Sequence, residues 1–599
     1  MKALRSQSGR LFSGLVVVLI VCFALTPILS AQGVDPGPRP PGTTTVANVC
    51  AIALAGNDKF NGSGNGFSNP FCFDIVQPPS KPPAPPAAGA GQIIDPAAAG
   101  QLNTMWFDAI TVFSATAIVS TTSNPPPTIV GLGPSFNALS CFACHAEPTV
   151  GGASPGVVTV NGNRVASNVS QGVQYGGVAN NPEFIASGAD GATNTPPCFI
   201  VPSGAGGCSG ISLGDFGAPL NFNNGPVVEV RFPAGFTPAT NNSDVDPVDP
   251  GAVADLFTVM GRSDAPSGCT IDQEPISQEL EAGNAIFRTP TPTFGLGLVE
   301  NTPELELVQN SALGAVAKSG LGISSGVFNH IGNDQTITRF GWKAQNKSLM
   351  MFAGEASNVE MGVTNELFPN ERTTGNGPNC TPNPQPEDQV LGTTPITSPS
   401  QISSVMQNNA VFMRLNAAPS QCDFASGTSG GGGLGTPICN QLSNAALQGQ
   451  CFFGTAATGP VSTFCSTATG GLPVYGIGCV LCHSSSLTTA NSNTSGLGNQ
   501  TFAPYSDFAL HAMGSDGDGV SQGQANGNQF RTAPLWGAGQ RFFFMHDGRY
   551  FNLDDAVKGH CPPSDTTNTP NESCDVISTY KNTLTTAQKT LILEFLRSL

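Results

Sequence analysis

The pentapeptides Cys141-Phe142-Ala143-Cys144-His145 and Cys479-Val480-Leu481-Cys482-His483 carry the strongest signal in this chain. Two thiols three residues apart on the first turn of a helix can bond the two vinyl groups of one porphyrin, and the adjacent histidine can bind its iron. With 17 Cys and 6 His in 599 residues, chance does not explain two copies. A zinc knuckle is the alternative, which the export signal described below disfavours. We therefore predict two covalently bound haem c groups, each with the histidine of its motif as proximal iron ligand.

A similar segment follows each motif. Arg288-Thr289-Pro290-Thr291-Pro292-Thr293-Phe294-Gly295-Leu296-Gly297 follows the first, and Arg531-Thr532-Ala533-Pro534-Leu535-Trp536-Gly537-Ala538-Gly539 follows the second. Both contain Arg-Thr, a proline, an aromatic residue and Gly-x-Gly, which suits a turn passing close over a flat cofactor. Two unrelated turns are the alternative. The motifs lie 338 residues apart (483 − 145), which favours two haem units over a chain of closely spaced haems.

The composition predicts a folded, loop-rich and acidic protein. Gly (72) and Pro (50) are frequent, 36 Phe are available for burial, and only 11% of residues are charged. The formal net charge is −17, and the chain has no basic run. An acidic surface repels phosphate, so nucleic acid and anionic lipid are excluded as expected partners.

The N-terminus has the three parts of an export signal. Cations precede an apolar core from Leu11 to about Leu29, and the small residues Ser30 and Ala31 follow it. We predict that residues 1–31 are a cleaved signal peptide and that the mature protein is periplasmic or secreted. A retained N-terminal anchor is the less favoured alternative, and we expect no stable membrane insertion after cleavage.

Cysteine usage agrees with export to an oxidising compartment. Removing Cys22 in the signal and the four motif cysteines leaves 17 − 1 − 4 = 12, an even number that allows six disulfides. We predict that disulfides staple the long loops. Neighbouring cysteines suggest the pairs Cys50/Cys72, Cys198/Cys208, Cys422/Cys439, Cys451/Cys465 and Cys561/Cys574, although connectivity does not follow from sequence.

Two C-terminal helices are predicted from local pattern. Thr585 and Gln588 form a capping box, and apolar residues then recur at i+4 as far as Leu599. A shorter helix over 553–558 begins near Asn552 and carries His560 at its end.

Over about residues 130–599, the chain resembles the bacterial di-haem c-type oxidoreductases, which include peroxidase-like and thiol-oxidoreductase-like proteins. These are related to the di-haem cytochrome c peroxidases and to the di-haem enzyme that matures methylamine dehydrogenase. The long insertions around 150–260 and 370–475 depart from the family pattern. The matching stretches are GLGPSFNALSCFACH (131–145), FGLGLVENTPE (294–304), RFGWKAQNKSL (339–349), EMGVTN (360–365), YSDFALHAMG (505–514), RTAPLWGAGQRFFFMHDGRYFNLDDAV (531–557) and LTTAQKTLILEFLRSL (584–599).

The resemblance implies a mainly α fold with two cytochrome-c-like haem domains that carry long loop insertions. With the composition, it predicts a Gly/Pro/Ala-rich lead-in and linker over 32–90, a first haem domain over 91–380 and a second over 381–599. It also places His560 at the position of the second axial ligand of the C-terminal haem, where Met545 is a weaker competitor. His546 is expected to hydrogen-bond near the haem or the domain junction without binding iron, and His511 is a candidate to support the second haem or to lie on its distal side.

No histidine follows the first motif until His330, so an open first iron is expected. Peroxide chemistry needs an open iron, a base and a hydrogen-bond donor or cation. The candidate catalytic residues are Glu147, Arg288 and Arg339, with Glu300, Glu304 and Glu360 as other bases. Surface charge or neutralisation of haem propionates is the alternative role for these residues, and Met361 is a candidate to close the first iron. Trp342 and Trp536 are candidates for electron transfer between the haems, with core packing as the alternative.

The function implied is that of an exported di-haem oxidoreductase, peroxidase-like, with one electron-transfer haem and one reactive haem. The alternatives are a non-catalytic electron-transfer protein and a haem enzyme that oxidises side chains of a protein substrate. The expected partners are peroxide or a related oxidant and a small electron-donor protein of cytochrome or cupredoxin type. A basic donor would suit the acidic chain. The sequence leaves open a calcium ion between the domains, because its Asp and Asn residues form no calcium motif.

Overall fold

The computed structural model describes residues 105–166 and 404–439 in part, residues 229–231, 286–331, 334–369 and 390–391, and residues 442–599 with short gaps. Helices dominate this part of the chain, as the predicted mainly α fold requires. In chain order they are α1 (Cys141–Cys144), α2 (Leu296–Glu300), α3 (Glu304–Ala312), α4 (Ala315–Gly320), α5 (Leu349–Met361), α6 (Val405–Leu415), α7 (Asn444–Phe453), α8 (Thr463–Thr469), α9 (Leu553–Gly559), α10 (Cys574–Asn582) and α11 (Thr586–Ser598).

The described strands are short and form one three-stranded sheet, β1-β2-β7, and five separate pairs. The pairs β3–β4, β5–β6, β8–β9, β10–β11 and β12–β13 are all antiparallel. The strands are β1 (Thr116–Ile118), β2 (Thr128–Val130), β3 (Val157–Val160), β4 (Asn163–Ala166), β5 (Glu229–Arg231), β6 (Ile286–Arg288), β7 (Val390–Leu391), β8 (Cys422–Phe424), β9 (Pro437–Cys439), β10 (Leu487–Thr488), β11 (Thr501–Phe502), β12 (Leu510–Ala512) and β13 (Gln529–Arg531).

Two hydrophobic cores lie beside the two Cys-x-x-Cys-His motifs. The first core is formed mainly by α2, α5 and α6, and Cys141 packs against it. The second is formed mainly by α7, α9, α10 and α11, and Cys479 and Cys482 pack against it. The predicted domain limit at residue 380 remains a prediction. Helix α6, which follows residue 380, contributes Met406, Phe412 and Met413 to the first core.

The local helix predictions are confirmed at both C-terminal helices. The side chain of Thr585 caps α11, and Gln588 completes the predicted capping box. At the start of α9, the side chain of Asn552 accepts hydrogen bonds from the backbone N–H groups of Asp554 and Asp555, and His560 is the C-cap residue. Local sequence therefore sets where these two helices begin.

Two predicted disulfides are present, Cys451–Cys465 and Cys561–Cys574. The first links α7 to α8, and the second joins the residue after His560 to the first residue of α10. The β8–β9 register pairs the backbone of Cys422 with that of Cys439. The predicted pairs Cys50/Cys72 and Cys198/Cys208, like the signal and linker regions, lie outside the described residues. Among the described helices, none combines the length and apolar character that a membrane span requires.

Replacing Gly449 with alanine should destabilise the second core by about 3 kcal/mol, the upper end of ordinary overpacking. Gly449 lies where α7 meets α11, and a Cβ atom there would lie 1.8 Å from the carbonyl oxygen of Leu591. Thermal unfolding of the haem-loaded protein measures the effect. Gly320→Ala in α4 is the control, because a Cβ there meets nothing within 4 Å and should change stability by at most about 1 kcal/mol. Equal melting temperatures for the two variants would contradict the close helix contact.

Candidate functional site

The first motif forms the short helix α1, with His145 immediately after it. The backbone N–H of His145 donates to the carbonyl of Cys141 (3.0 Å), and the side-chain Nδ1 lies 3.2 Å from the carbonyl oxygen of Gly152. This contact makes Nδ1 the protonated nitrogen, which is the tautomer that can offer Nε2 to a metal. The ring also has a hydrogen bond to the backbone of Thr291. Burial lowers the pKa of His145 to about 4, so the ring is neutral at physiological pH, as metal binding requires.

A cavity adjoins the first motif and is lined by Cys141, Cys144 and His145. Its volume is about 980 Å³, including the space at its opening to solvent. One face of α5 lines it as well, because residues spaced three and four apart share a helix face. These residues are Phe352, Glu355, Ala356, Val359 and Glu360, followed by Met361 at the end of the helix. Among the described residues, His145 is the only histidine that lines this cavity.

The strand pair β5–β6 contributes a charged group to the first cavity. Glu229 and Arg231 are two residues apart, so they lie on the same face of β5. The guanidinium of Arg231 donates to both carboxylate oxygens of Glu229, at 2.7 and 3.3 Å. Across the ladder, Arg288 of β6 is the register partner of Glu229. All three residues line the cavity.

Glu229 also shares a side-chain hydrogen bond with Glu360 of α5. Burial opposes ionisation of Glu229, but Arg231 and the bond to Glu360 hold its pKa at about 2. Two carboxyl groups can hydrogen-bond to each other only when one is protonated. Because Arg231 stabilises the charge on Glu229, Glu360 would be the donor when the two groups share a proton. The first cavity therefore contains an ionised Glu229 hydrogen-bonded to the carboxyl group of Glu360.

The three predicted catalytic residues have different surroundings. Glu147 is buried, pairs through its backbone with Ala153 and lines neither motif's cavity. Arg288 lines the first cavity, but its guanidinium is bonded to Asp518 (2.6 and 3.0 Å) and Gln522 (2.8 Å). Its role there is to join the first cavity to the 516–528 loop, because Asp518 also pairs with Lys343 (2.9 Å). Arg339 lines a separate, smaller cavity.

The other candidate bases also differ in whether they line a cavity. Glu300 is bonded to Arg414 and to the backbone N–H of Leu349, and Glu304 accepts from the backbone N–H of Ile337. Both therefore connect secondary-structure elements and line neither motif's cavity. Of the carboxylates considered in the sequence, only Glu360 lies in the first cavity.

The second motif begins with a turn of 3-10 helix, Cys479–Leu481, and His483 follows. The Nδ1 atom of His483 lies 2.8 Å from the carbonyl oxygen of Tyr505. Tyr505 has φ +52°, a left-handed conformation that is uncommon for residues other than glycine and directs this carbonyl. Burial lowers the pKa of His483 to about 4, so its ring is neutral with Nε2 available.

A second cavity, about 1500 Å³ to its open mouth, adjoins this motif and contains both His483 and His560. The Nδ1 of His560 lies 2.8 Å from the carbonyl oxygen of Ala556, and burial lowers the pKa of His560. Its Nε2 is therefore available as well. Met545 also lines this cavity. The remaining lining is largely apolar and includes Ile323, Phe453, Leu535, Phe544, Leu553, Val557, Val576, Ile577, Ile592 and Leu596.

His511 lines the second cavity without an available nitrogen. Its Nδ1 lies 2.7 Å from Glu572 and its Nε2 lies 3.1 Å from Asp507. Burial alone would lower the pKa of His511, but Cys482 and Asp507 raise it well above its usual value. The Cys482 contribution ends once that sulfur is a thioether, whereas the two carboxylates remain. His511 is thus a buried imidazolium held between two carboxylates, which agrees with the predicted supporting role.

A third cavity of about 490 Å³ is lined by Arg339, Arg531 and Arg541 and by no acidic residue. The guanidinium of Arg531 donates to the carbonyl of Gly341 (2.9 Å), and that of Arg541 donates to the carbonyl of Trp536 (3.3 Å). Burial lowers the pKa of both to about 10. Neither forms an ion pair with any described carboxylate, and the Nε of Arg339 has no hydrogen-bond partner among the described residues.

These features fit haem. Its flat ring is apolar and its two propionates are anionic. The second cavity supplies the apolar walls, and Arg531 and Arg541, which also line it, supply buried positive charge without an acidic partner. The cysteines of both motifs lie at the cavity walls. The residues that would hold the two haems are therefore the two motifs, with these arginines positioned for propionates.

Trp342 lines all three cavities. Its indole Nε1 donates to the carbonyl of Thr289 (2.8 Å), and its ring centroid lies 6.4 Å from that of His546. The backbone carbonyl of His546 in turn accepts from the N–H of Thr289 (2.6 Å), and His546 also lines the second cavity. Trp536 lines only the small cavity and packs on the backbone at Gly295. Trp342 thus lines both the first and the second cavity.

Sequence reasoning missed Glu229 and Arg231 as site residues. The signal was present as alternation of apolar and charged residues in Val228-Glu229-Val230-Arg231-Phe232, which is typical of a half-buried strand. It lay in a region interpreted as an insertion. The echo of the two Arg-Thr segments was recognised, and both begin at the last residue of a strand and place a glycine with positive φ after the aromatic residue, at Gly295 and Gly537.

Comparison with known proteins gives one clear relationship. A family model described as "Di-haem oxidoreductase, putative peroxidase" matches residues 112–380 and 463–598. The matched segments include both Cys-x-x-Cys-His motifs and more than half of the chain. The gap between them contains α6 and α7. No curated protein matches the chain.

Proposed function

The chain belongs to the di-haem oxidoreductase family, and on that premise we propose that it is a peroxidase-like enzyme with two covalent haems of unequal role. The haem at His483 transfers electrons and has His560 as its second iron ligand. The haem at His145 reacts with peroxide or a related oxidant. One observation carries this assignment: His560 lies in the same cavity as His483, whereas the first cavity, among the described residues, contains one histidine and the hydrogen-bonded carboxyl groups of Glu229 and Glu360.

Haem iron, when bound, supplies the electron exchange and the activation of the oxidant. The chain supplies the proton transfers. In the first cavity, Glu360 would take a proton from one peroxide oxygen and return it to the other, and Glu229, which Arg231 holds ionised, would orient Glu360 through their hydrogen bond. Arg231 keeps Glu229 ionised and adds positive charge where the departing oxygen becomes negative.

Electron transfer between the two sites needs a group close to both. Trp342 meets this condition because it lines both cavities, and its position is held by the hydrogen bond to Thr289 and the edge contact with His546. We assign Trp342, rather than Trp536, as the residue through which electrons pass from the second site to the first.

We also propose that the protein works outside the cytoplasm and takes electrons from a small cytochrome or cupredoxin. The N-terminal signal pattern supports export, and the two disulfides suit an oxidising compartment. The acidic net charge favours a donor with a basic face, because opposite charges speed encounter.

Met361 favours a second candidate function. It is buried at the end of α5 and lines the first cavity, so its thioether is available to the first iron. Ligation there would make both irons six-coordinate and the protein a carrier of electrons without peroxide chemistry. A first haem that stays low-spin in the wild-type protein and becomes high-spin only in Met361→Ala would favour this candidate.

The test of the leading function begins with His560→Ala. Removing the imidazole should convert the second ferric haem from low-spin to high-spin in nearly all molecules, because a His/His iron loses one strong ligand. Electron paramagnetic resonance of the oxidised holoprotein measures the change. His330→Ala is the matched control, because His330 lines neither cavity and bonds through Nδ1 to the carbonyl of Gln335. An unchanged low-spin signal in His560→Ala would refute the assignment.

A further inference from the structure

We propose that the disulfide Cys561–Cys574 positions His560 at the second haem, so that opening this disulfide releases the ligand. The inference rests on the proposed ligation of that haem by His560. It concerns a group of residues outside both motifs: the disulfide together with Asn571 and Ser573, named here the 561–574 clasp. Cys561 follows His560 directly, and Cys574 is the first residue of α10.

The clasp binds the backbone of His560. The carbonyl oxygen of His560 accepts one hydrogen bond from Nδ2 of Asn571 (2.8 Å) and one from Oγ of Ser573 (2.6 Å). The disulfide bonds the next residue along the chain to the residue after Ser573, with a Cα–Cα distance of 5.0 Å. The covalent link therefore keeps the two donors in register with the carbonyl they bind.

His560 needs such an external support because of its place in α9. The helix has only seven residues, and His560 is its C-cap residue. Short helices are marginally stable on their own, and their ends fray. The Nδ1 contact of His560 is to Ala556 in the same helix, so it does not anchor the ring to another element. The clasp, together with the bond from Nζ of Lys581 to the carbonyl oxygen of Cys561 (2.6 Å), holds this helix end against α10.

The clasp is itself anchored to the wall of the cavity. Glu572, between the two donor residues, binds His511 and accepts from the backbone N–H groups of Ala512 (3.1 Å) and Ser324 (2.9 Å). Asn571 donates to the carbonyl of Met513 as well (3.2 Å). These contacts therefore fix Asn571 and Ser573 in place. The disulfide keeps Cys561, and with it the neighbouring His560, next to these two donors.

Opening the disulfide is a two-electron reduction. A dithiol supplies two electrons and two protons to the S–S bond and becomes a disulfide, and Cys561 and Cys574 become thiols. Both cysteines are half-buried, so a small dithiol reaches them. The covalent restraint on the end of α9 is then lost, and His560 leaves the second iron open in a large share of molecules.

The experiment compares two disulfides of the same holoprotein by electron paramagnetic resonance. Cys561→Ser/Cys574→Ser is expected to raise the high-spin fraction of the second haem at least tenfold. Cys451→Ser/Cys465→Ser is the matched control, since it opens a disulfide of nearly equal spacing, 14 residues against 13, that joins α7 to α8. The control should keep the wild-type spectrum. A low-spin second haem in the first variant, or equal changes in both variants, would overturn the proposal.

Two further measurements keep the test decisive if the first variant does not fold. Asn571→Ala/Ser573→Ala keeps the disulfide and removes both donors, and it should also raise the high-spin fraction. Wild-type holoprotein is treated with dithiothreitol, its thiols are alkylated and counted, and the haem is reoxidised with ferricyanide. Alkylation of Cys561 and Cys574 with an unchanged low-spin spectrum would overturn the proposal. If His560→Ala itself stays low-spin, the ligand assignment fails. If only His560→Ala changes the spectrum, the clasp alone fails.

Discussion

A chain in which Cys479 and Cys482 are both alanine is expected to carry one covalent haem where the wild-type chain carries two. Thioether bonds survive denaturation, whereas a haem held only by His483 is extracted by acid and solvent. We expect the pyridine haemochrome of the denatured, extracted protein to fall to half of the wild-type value per chain. The second core should lose stability too, because its apolar residues line the cavity that the haem would fill.

The reciprocal variant, with alanine at Cys141 and Cys144, is the control. It should also carry one haem, but its spectrum should be that of the His483 site, with the low-spin signal assigned to His560 ligation. Two haems remaining on either denatured variant would contradict covalent attachment at that motif. Loss of both haems from one variant would contradict two independently loaded sites, since the motifs adjoin separate cavities.

Glu360→Gln should slow peroxide turnover by about 10²- to 10⁴-fold, the usual contribution of a positioned proton donor. Glutamine keeps the size of the side chain and a hydrogen bond to Glu229 but has no acidic proton to give. Steady-state oxidation of a reduced small cytochrome or dye by hydrogen peroxide measures the rate.

Glu355→Gln is the matched control, because Glu355 lies on the same helix and lines the same cavity but bonds to Asn346. Its rate should stay within about tenfold of the wild type, well short of the loss expected for a proton donor. Equal rates for the two variants would exclude Glu360 as the proton donor. Haem content and the spectrum at His145 should be unchanged in both variants, which separates a lost proton transfer from a lost cofactor.

The haem motifs and the C-terminal helices could be predicted from the sequence because each depends on residues that are close together in the chain. The Cys-x-x-Cys-His spacing lies within one turn, and the caps of α9 and α11 are set by Asn552 and by Thr585 with Gln588, each within three residues. The family resemblance then indicated His560, and the structure places that residue in the same cavity as His483. The di-haem family itself is confirmed by the family match.

Assignments that needed two distant segments were less successful. Arg288 was expected to assist catalysis, but its guanidinium donates hydrogen bonds to the carboxylate of Asp518, which is 230 residues away in sequence. Glu147 was a candidate catalytic base, but its backbone pairs with Ala153 and it lines neither motif's cavity. Which polar residues reach a cavity depends on contacts between segments that the sequence does not show.

By itself, the sequence predicted which atoms would bind haem, and it determined which of its segments are helical near the C-terminus and which family it belongs to. Each of these depends on residue types at short, regular spacing. Only the tertiary structure decided that Glu229 of β5 meets Glu360 of α5, that Trp342 is shared by both cavities and that Asn571 and Ser573 hold the backbone of His560. The physical reason is that proton sharing, electron transfer and ligand positioning all depend on contacts of a few ångströms, which packing creates between segments far apart in the chain.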